Sequence, residues 1–482
     1  MPQRTPIEHD PVSRCTATRR ILSCALSALL VSIAGCGGGG GGGGGSGGGS
    51  PVACAEPARK QFVLDVARQW YLFPELLPSA VDAADFPTAE NLLDHLTATA
   101  RAQRKDRFFS YVTTRSAENS LLGEGQFIGF GFRTRTDPVN RPLVTEVFES
   151  SPAADAGLQR GDEIVAVDAG AGFVPVAQWL ADGSTISDAL GPGEAGVRRG
   201  LRLLRNGTTR EATLTKRTVT IAPVSSIYGA LVLPLAGTTG VGYVNLRTYV
   251  ATADSQLRDA FAQFRALGLD YFIVDLRYNG GGLVSTAETL GDLLGGDRST
   301  ADVQLRMVHS TAKAAENTTR NFRPVAQSVR PVRIAFLTTE ATASASEINV
   351  NTMAPWVEIA IVGEDTFGKP VGQLAFDLQG CEDRLRLVAF KLENARGDSD
   401  YYDGLAATLP FACAAPDTLE EPLGSATEGL TAAALAWLGT GACTNVIPAT
   451  AARRKPAGEA APERYPLPKQ PSPAQLWLPG VN

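Results

Sequence analysis

Histidine is nearly missing from this chain: its 482 residues hold only His9, His95 and His309. A Ser-His-Asp triad needs an imidazole between nucleophile and carboxylate. His9 precedes an apparent signal sequence, and no catalytic setting surrounds His95 or His309, which read as ordinary surface or interface residues. The same shortage leaves no His/Cys/Asp cluster at metal-ligand spacing, so neither a metal nor any other cofactor is expected. Positive charge is short as well. With 44 Lys and Arg against 50 Asp and Glu, the net charge is −6 and the pI is near 5.4, which gives no basic footprint for nucleic acid. The apolar stretch Ile21 to Ile33 counts 13 residues, whereas a bilayer-spanning helix takes about 20.

The N-terminus has instead the order of a secretory signal: Arg14, Arg19 and Arg20, then that stretch, then small residues. Ile33-Ala34-Gly35-Cys36 resembles a bacterial lipoprotein box, which implies that residues 1–36 are a signal segment and Cys36 the lipidated residue. Ordinary signal cleavage nearby is the alternative. Glycines and two serines fill positions 37 to 50, so residues 37–52 read as a flexible tether whose mean reach is roughly 20 Å. Gly37, not Asp, follows the cysteine; by resemblance to enteric bacteria this implies the outer membrane, facing the periplasm or the cell surface. In that oxidising compartment Cys54, Cys381, Cys413 and Cys443 make an even set. Three pairings are open. Cys381 with Cys413 is favoured because they flank a segment with hairpin-like signals, leaving Cys54 with Cys443; free buried thiols are the alternative.

Residues 53–125 read as a small helical cap without chemistry of its own. Phe62, Val63, Val66 and Trp70 recur at helix spacing, and Asn91 to Leu96 makes a second amphipathic turn beyond a proline-rich break. From 126 to 222 the texture changes to short strands and glycine-rich turns: Phe127 to Phe132, Leu143 to Val147, Ser151 to Leu158, and Arg160-Gly161-Asp162-Glu163 leading into Ile164 to Asp168. These residues resemble a PDZ domain over about 95 positions. The resemblance implies a peptide tail added as a strand, its carboxylate captured by the amides of Gly129, Phe130, Gly131 and Phe132, where glycine keeps side chains out of the way. A PDZ-like fold that only packs against its neighbour is the alternative. From 223 to 446 apolar strands alternate with helices, as in an α/β core with buried strands. Residues 447–482, rich in proline and charge and without periodicity, read as a disordered tail.

The chemistry concentrates in two places. Ser344 lies in Thr342-Ala343-Ser344-Ala345-Ser346-Glu347, after an expected strand Val332 to Leu337 and at the start of an expected helix Ser346 to Met353. There a serine hydroxyl meets backbone amides and the positive end of a helix dipole. Lys369 follows 25 positions later, in Thr366-Phe367-Gly368-Lys369, beyond the expected strand Val357 to Val362. A serine becomes a nucleophile when a base removes its proton, and a lysine serves as that base if its surroundings keep it neutral. Adjacent parallel strands would bring both loops to one sheet edge, and Gln373 would orient the amine. In Asp275-Leu276-Arg277-Tyr278-Asn279-Gly280-Gly281-Gly282, the amide of Gly281 is the candidate partner of the Ala345 amide in an oxyanion hole. Gly363 to Lys369 also has the spacing of a phosphate-binding loop, but Pro370 stands where its hydroxyl residue belongs.

Taken together, residues 55 to 445 resemble the C-terminal processing peptidases, serine proteases of the tail-specific type. The resemblance rests on Ser344 to Glu347, Thr366 to Lys369 with Gln373, Asp275 to Gly282, and the preceding PDZ-like stretch. It implies Ser344 as nucleophile, Lys369 as general base, Gln373 as the orienting residue and a spiral α/β core shared with crotonase. The substrates it implies are peptides or proteins with unstructured C-termini. Pro370 stands where glycine is common in the family, and Thr342 replaces a usual serine or glycine. The rival expectation is a non-catalytic envelope module that captures peptide tails or apolar ligands.

Overall fold

Four of the chain's most apolar runs become neighbouring strands. In the computed structural model, which describes residues 54–448, 464–469 and 471–482, Val241–Asn245, Tyr271–Asp275, Arg333–Thr338 and Glu358–Gly363 pair in parallel. Ala412–Ala414 continues the sheet in parallel at one edge and Ala230–Leu233 closes the other edge antiparallel. Strands covered on both faces carry apolar side chains at every position. Phe272, Val274, Ile334, Phe336, Ile359 and Ile361 face a core shared with the helices Ala253–Ala266, Val284–Leu294 and Ala345–Met353. The alternate residues Ile273, Ala335, Leu337, Ala360 and Val362 pack against Leu430, Ala434 and Trp437 of the helix Gly429–Thr440. The α/β expectation stands, and with it the strand-to-helix approach to Ser344.

The two N-terminal helices run over Glu56–Trp70 and Ala89–Ala102, the second capped by the Thr88 side chain, which accepts from the Asn91 amide. They share a core with Val371, Leu385, Leu387 and Val388 of the strands Val371–Asp377 and Asp383–Glu393. Tyr111–Thr114 pairs antiparallel with Asp383–Glu393. The expected cap without chemistry is therefore corrected: its chain joins the sheet that carries Gln373, and Phe109 reaches the candidate site.

Between these parts, Phe132–Thr136, Pro142–Val147, Glu163–Asp168, Arg198–Arg205 and Thr208–Thr215 form an antiparallel sheet. Gln126–Gly129 pairs separately with Arg217–Thr220. Phe130, Phe132, Val144, Ile164, Leu190 and Leu203 fill the core of this part.

Two expectations are overturned. The disulfides join Cys54 to Cys381 and Cys413 to Cys443. Cys381 does sit in a hairpin turn, but Cys413 lies in another sheet, beside the end of the helix Gly429–Thr440, while the Arg59–Asp383 ion pair draws the Cys54 end to the hairpin. The expected disordered tail is also corrected, for Ala474, Trp477, Leu478 and Val481 are buried with Leu121, Leu122, Phe127 and Phe148. Cys36, the signal segment and the tether lie outside the described residues.

Candidate active site

Ser344 is the last residue before the helix Ala345–Met353 and has φ 55° and ψ −116°. A residue bearing a Cβ stays in such a conformation only when its surroundings impose it, at a cost of about 1–3 kcal/mol. Those surroundings can be named. The Ala343 amide donates to Asn279 O at 3.0 Å, the Ser346 hydroxyl donates to the same carbonyl at 2.9 Å, and the Thr342 hydroxyl donates to Leu276 O at 2.8 Å. The threonine hydroxyl at 342 thus ties the turn to the end of the neighbouring strand. The Ala345 amide, at the first turn of the helix, is one of the donors that helix geometry leaves without an intrahelical partner.

The lysine loop is held to this turn by one carboxylate. Glu347, fully buried, accepts from the Ser344 amide at 2.9 Å, from the Gly368 amide at 2.7 Å and from the Lys369 amide at 2.8 Å. Burial raises its carboxyl, while the Thr366 hydroxyl and these amides oppose the shift. The amides that a phosphate-binding loop would offer are thus spent on Glu347, and that reading is closed. Glu347 was present in the sequence only as part of a motif. Its signal was nonetheless there, a Ser-x-x-Glu spacing ahead of an apolar helix.

Lys369 donates from Nζ to Gln373 Oε1 at 3.1 Å, and Gln373 Nε2 donates to Phe109 O at 2.5 Å. Because one end of the amide gives and the other accepts, Gln373 has a single orientation. The ammonium lies 4.9 Å from the Phe109 ring centre and 5.7 Å from that of Trp477. Burial lowers the Lys369 amine to about 8, and Arg386 and Arg107 add to the lowering, while Asp106 and Glu347 oppose it. Among the described residues no hydrogen bond joins Ser344 Oγ to Lys369 Nζ; the lysine is committed to Gln373.

Gly281 is placed as expected but does not act as expected. A Cβ there would stand 2.8 Å from the Ala345 amide nitrogen and 2.9 Å from Ser344 Cβ, with φ +102°, so only glycine fits this approach. Its own amide, however, donates to Asn279 Oδ1 at 2.9 Å, which corrects its assignment as an oxyanion donor. Asp275 and Arg277 of the same motif pair with each other at 2.9 Å in the interior. The amides of Phe130, Gly131 and Phe132 converge, all three donating to Asn482 O; Gly129 ends the preceding strand. Of the histidines, His95 packs at a tilt against Phe86 and His309 against Phe390. A cavity of about 1160 Å³ lies elsewhere, lined in part by His309, Asn351 and Lys391, and neither Ser344 nor Lys369 contributes to it.

Residues 240–405 match the model of peptidase family S41, and residues 58–111 match the peptidase S41 N-terminal domain. The chain is 28% identical to a carboxyl-terminal-processing protease of Synechocystis sp., over 53% of this chain and 56% of that protein. It is 33% identical to a chloroplastic C-terminal processing peptidase of Tetradesmus obliquus, over 55% and 54% respectively. The chain thus spans about half the length of the curated relatives it matches. A solved Bacteroides fragilis structure named for the S41 proteases shares the fold, with a TM-score of 0.60 at 24% identity over 78% of this chain and 96% of that one.

Proposed function

We propose that this chain, which belongs to peptidase family S41, is a serine endopeptidase that cleaves exported proteins or peptides near unstructured C-terminal tails with a Ser344/Lys369 dyad. The observation that carries the reading is the Glu347 carboxylate, whose three amide partners clamp the serine turn to the lysine loop. Neutral Lys369 takes the Ser344 hydroxyl proton, and Oγ attacks the substrate carbonyl. The Ala345 amide, at the positive end of its helix, receives the developing oxyanion. Lys369 then gives its proton to the leaving amine, and water, deprotonated by the again neutral Lys369, releases the acyl group.

The sheet built around Phe132–Thr136 is, in this reading, a PDZ-like groove that takes the substrate tail, and the core is of the crotonase-like spiral type. The enzyme would sit in the bacterial envelope, anchored by a lipid on Cys36. Both Ser344→Ala and Lys369→Ala are expected to lower turnover of an unfolded peptide by on the order of 10³-fold or more, with unchanged circular dichroism and thermal melting. A fluorophosphonate reagent should label Ser344 in the native chain. Turnover at the native rate by either variant, or no label at Ser344, would instead support the peptide-capturing module.

A further inference from the structure

We propose that residues 472–482 are a ligand carried in cis, which occupies the peptide groove and the approach to Lys369, so that an incoming peptide must displace them. The proposal rests on the peptidase reading above. Val481 stands antiparallel to Arg133. The Thr134 amide donates to Gly480 O at 2.8 Å, and the Asn482 amide donates to Phe132 O at 2.9 Å. Gly480 to Asn482, beyond the short helix Pro473–Trp477, therefore add to the edge of Phe132–Thr136, which is how extended peptides are bound by sheet edges.

Asn482 O accepts from the amides of Phe130 at 3.1 Å, Gly131 at 2.9 Å and Phe132 at 3.4 Å. A neutral carbonyl has two lone pairs; three converging amides make the concave donor set that suits a carboxylate. The pocket also reads the side chain. Ser187 Oγ donates to Asn482 Oδ1 at 2.8 Å, and Asn482 Nδ2 donates to Thr134 Oγ1 at 3.1 Å and to Gly480 O at 2.9 Å. A group that both accepts and donates here is a carboxamide.

Upstream, the segment turns toward the candidate site. The Trp477 ring centre is 5.7 Å from Lys369 Nζ, and a Cβ on Gly280 would meet Trp477 O at 2.5 Å. With Asn482 in the amide loop and Trp477 beside the lysine, the segment spans the distance from the groove to the candidate site. The competing ligands are accordingly extended peptides that carry a branched aliphatic residue followed by Asn, or by another carboxamide.

Gly480 provides the test. Its φ is +71°, and a Cβ there would stand 2.0 Å from Thr134 O, so Gly480→Val in the full-length chain bars docking. Three quantities are read: anisotropy of a fluorescent Ser472-to-Asn482 peptide with a free carboxylate, turnover of a quenched unfolded peptide ending in Val-Asn, and fluorophosphonate labelling of Ser344. Compared with the native chain, the variant should bind the peptide at least tenfold tighter and turn over the substrate at least fivefold faster. Unlabelled Ser472-to-Asn482 peptide should restore the slow rate. Replacing the peptide's final Asn by Ala should weaken its binding about tenfold. Asn482→Ala, which adds no strain, should shift both readings in the same direction by less, and guards against misfolding of Gly480→Val. Native binding and turnover in both variants would overturn the inference and leave the peptidase reading standing. Tighter peptide binding with no Ser344 labelling would support the cis ligand and remove the peptidase reading.

Discussion

In the proposed dyad Lys369 has two conflicting demands placed on it, since a general base must be neutral, yet the amine must reach a serine at the edge of a polar turn. Burial beside Phe109 and Trp477 settles the conflict by lowering the amine to about 8, whereas the Asp106 carboxylate limits the fall. Only the neutral amine takes a proton, so kcat/KM should rise tenfold per pH unit on the acid side and level off above about pH 8. Asp106→Asn removes the charge that favours the ammonium, and the midpoint should move to lower pH. Asparagine keeps an Oδ1 acceptor for the Phe109 and Ser110 amides, which the native carboxylate binds at 2.8 and 3.1 Å. A pH–rate profile of the two proteins checks this, and a midpoint unmoved by the substitution would detach Lys369 from the limb.

The helix Ala345–Met353 and the loop that leads from Glu358–Gly363 to Val371–Asp377 follow neighbouring parallel strands, and Glu347 ties them into one site. Replacing it by glutamine keeps one acceptor oxygen and turns an NH2 toward an amide donor. Such an unmatched buried group costs about 1–3 kcal/mol. Glu347→Gln is therefore expected to lose that much in denaturant melts, and to lower kcat more than tenfold while KM stays within twofold, because the loops separate without touching the peptide groove. The elements themselves were legible. Continuous apolar runs gave the parallel strands to within a residue or so, and the turn to the Ser344 helix followed from them. The segment 472–482 was not legible, because a proline-rich stretch of single turns has no period to detect; its order comes from burial of Trp477, Leu478 and Val481 against distant residues. The same limit applies to the cysteines, whose partners depend on which sheet each strand enters, and to Gly281, whose amide is taken by a side chain two residues away.

At the scale of the molecule, the sheet that holds Phe132–Thr136 and the parallel-sheet core are joined by buried charge. Arg133 and Arg247 share Glu146 at 3.0 and 2.6 Å. Asp417, its side chain 1% exposed, receives Arg160 at 2.5 Å from the side of the antiparallel sheet and Arg277 at 3.1 Å from the core side, with Arg135 at 3.3 Å. Burial alone would raise the Asp417 carboxyl, but the three guanidinium groups outweigh it and hold it well below the usual carboxylate range. Removing one member of a buried set leaves the rest uncompensated, at a cost of about 3–5 kcal/mol. Asp417→Asn should therefore be destabilised by that amount at neutral pH. The sign with pH follows from the lowered carboxyl: its stabilisation is complete above the unfolded value of about 3.9 and disappears as the pH falls through the lower folded value. The gap between native and variant chains in urea midpoints should accordingly be constant from pH 7 to about 5 and narrow below about 4. A gap that keeps its full width in stronger acid would mean that Asp417 stabilises the junction by packing, with its charge contributing little.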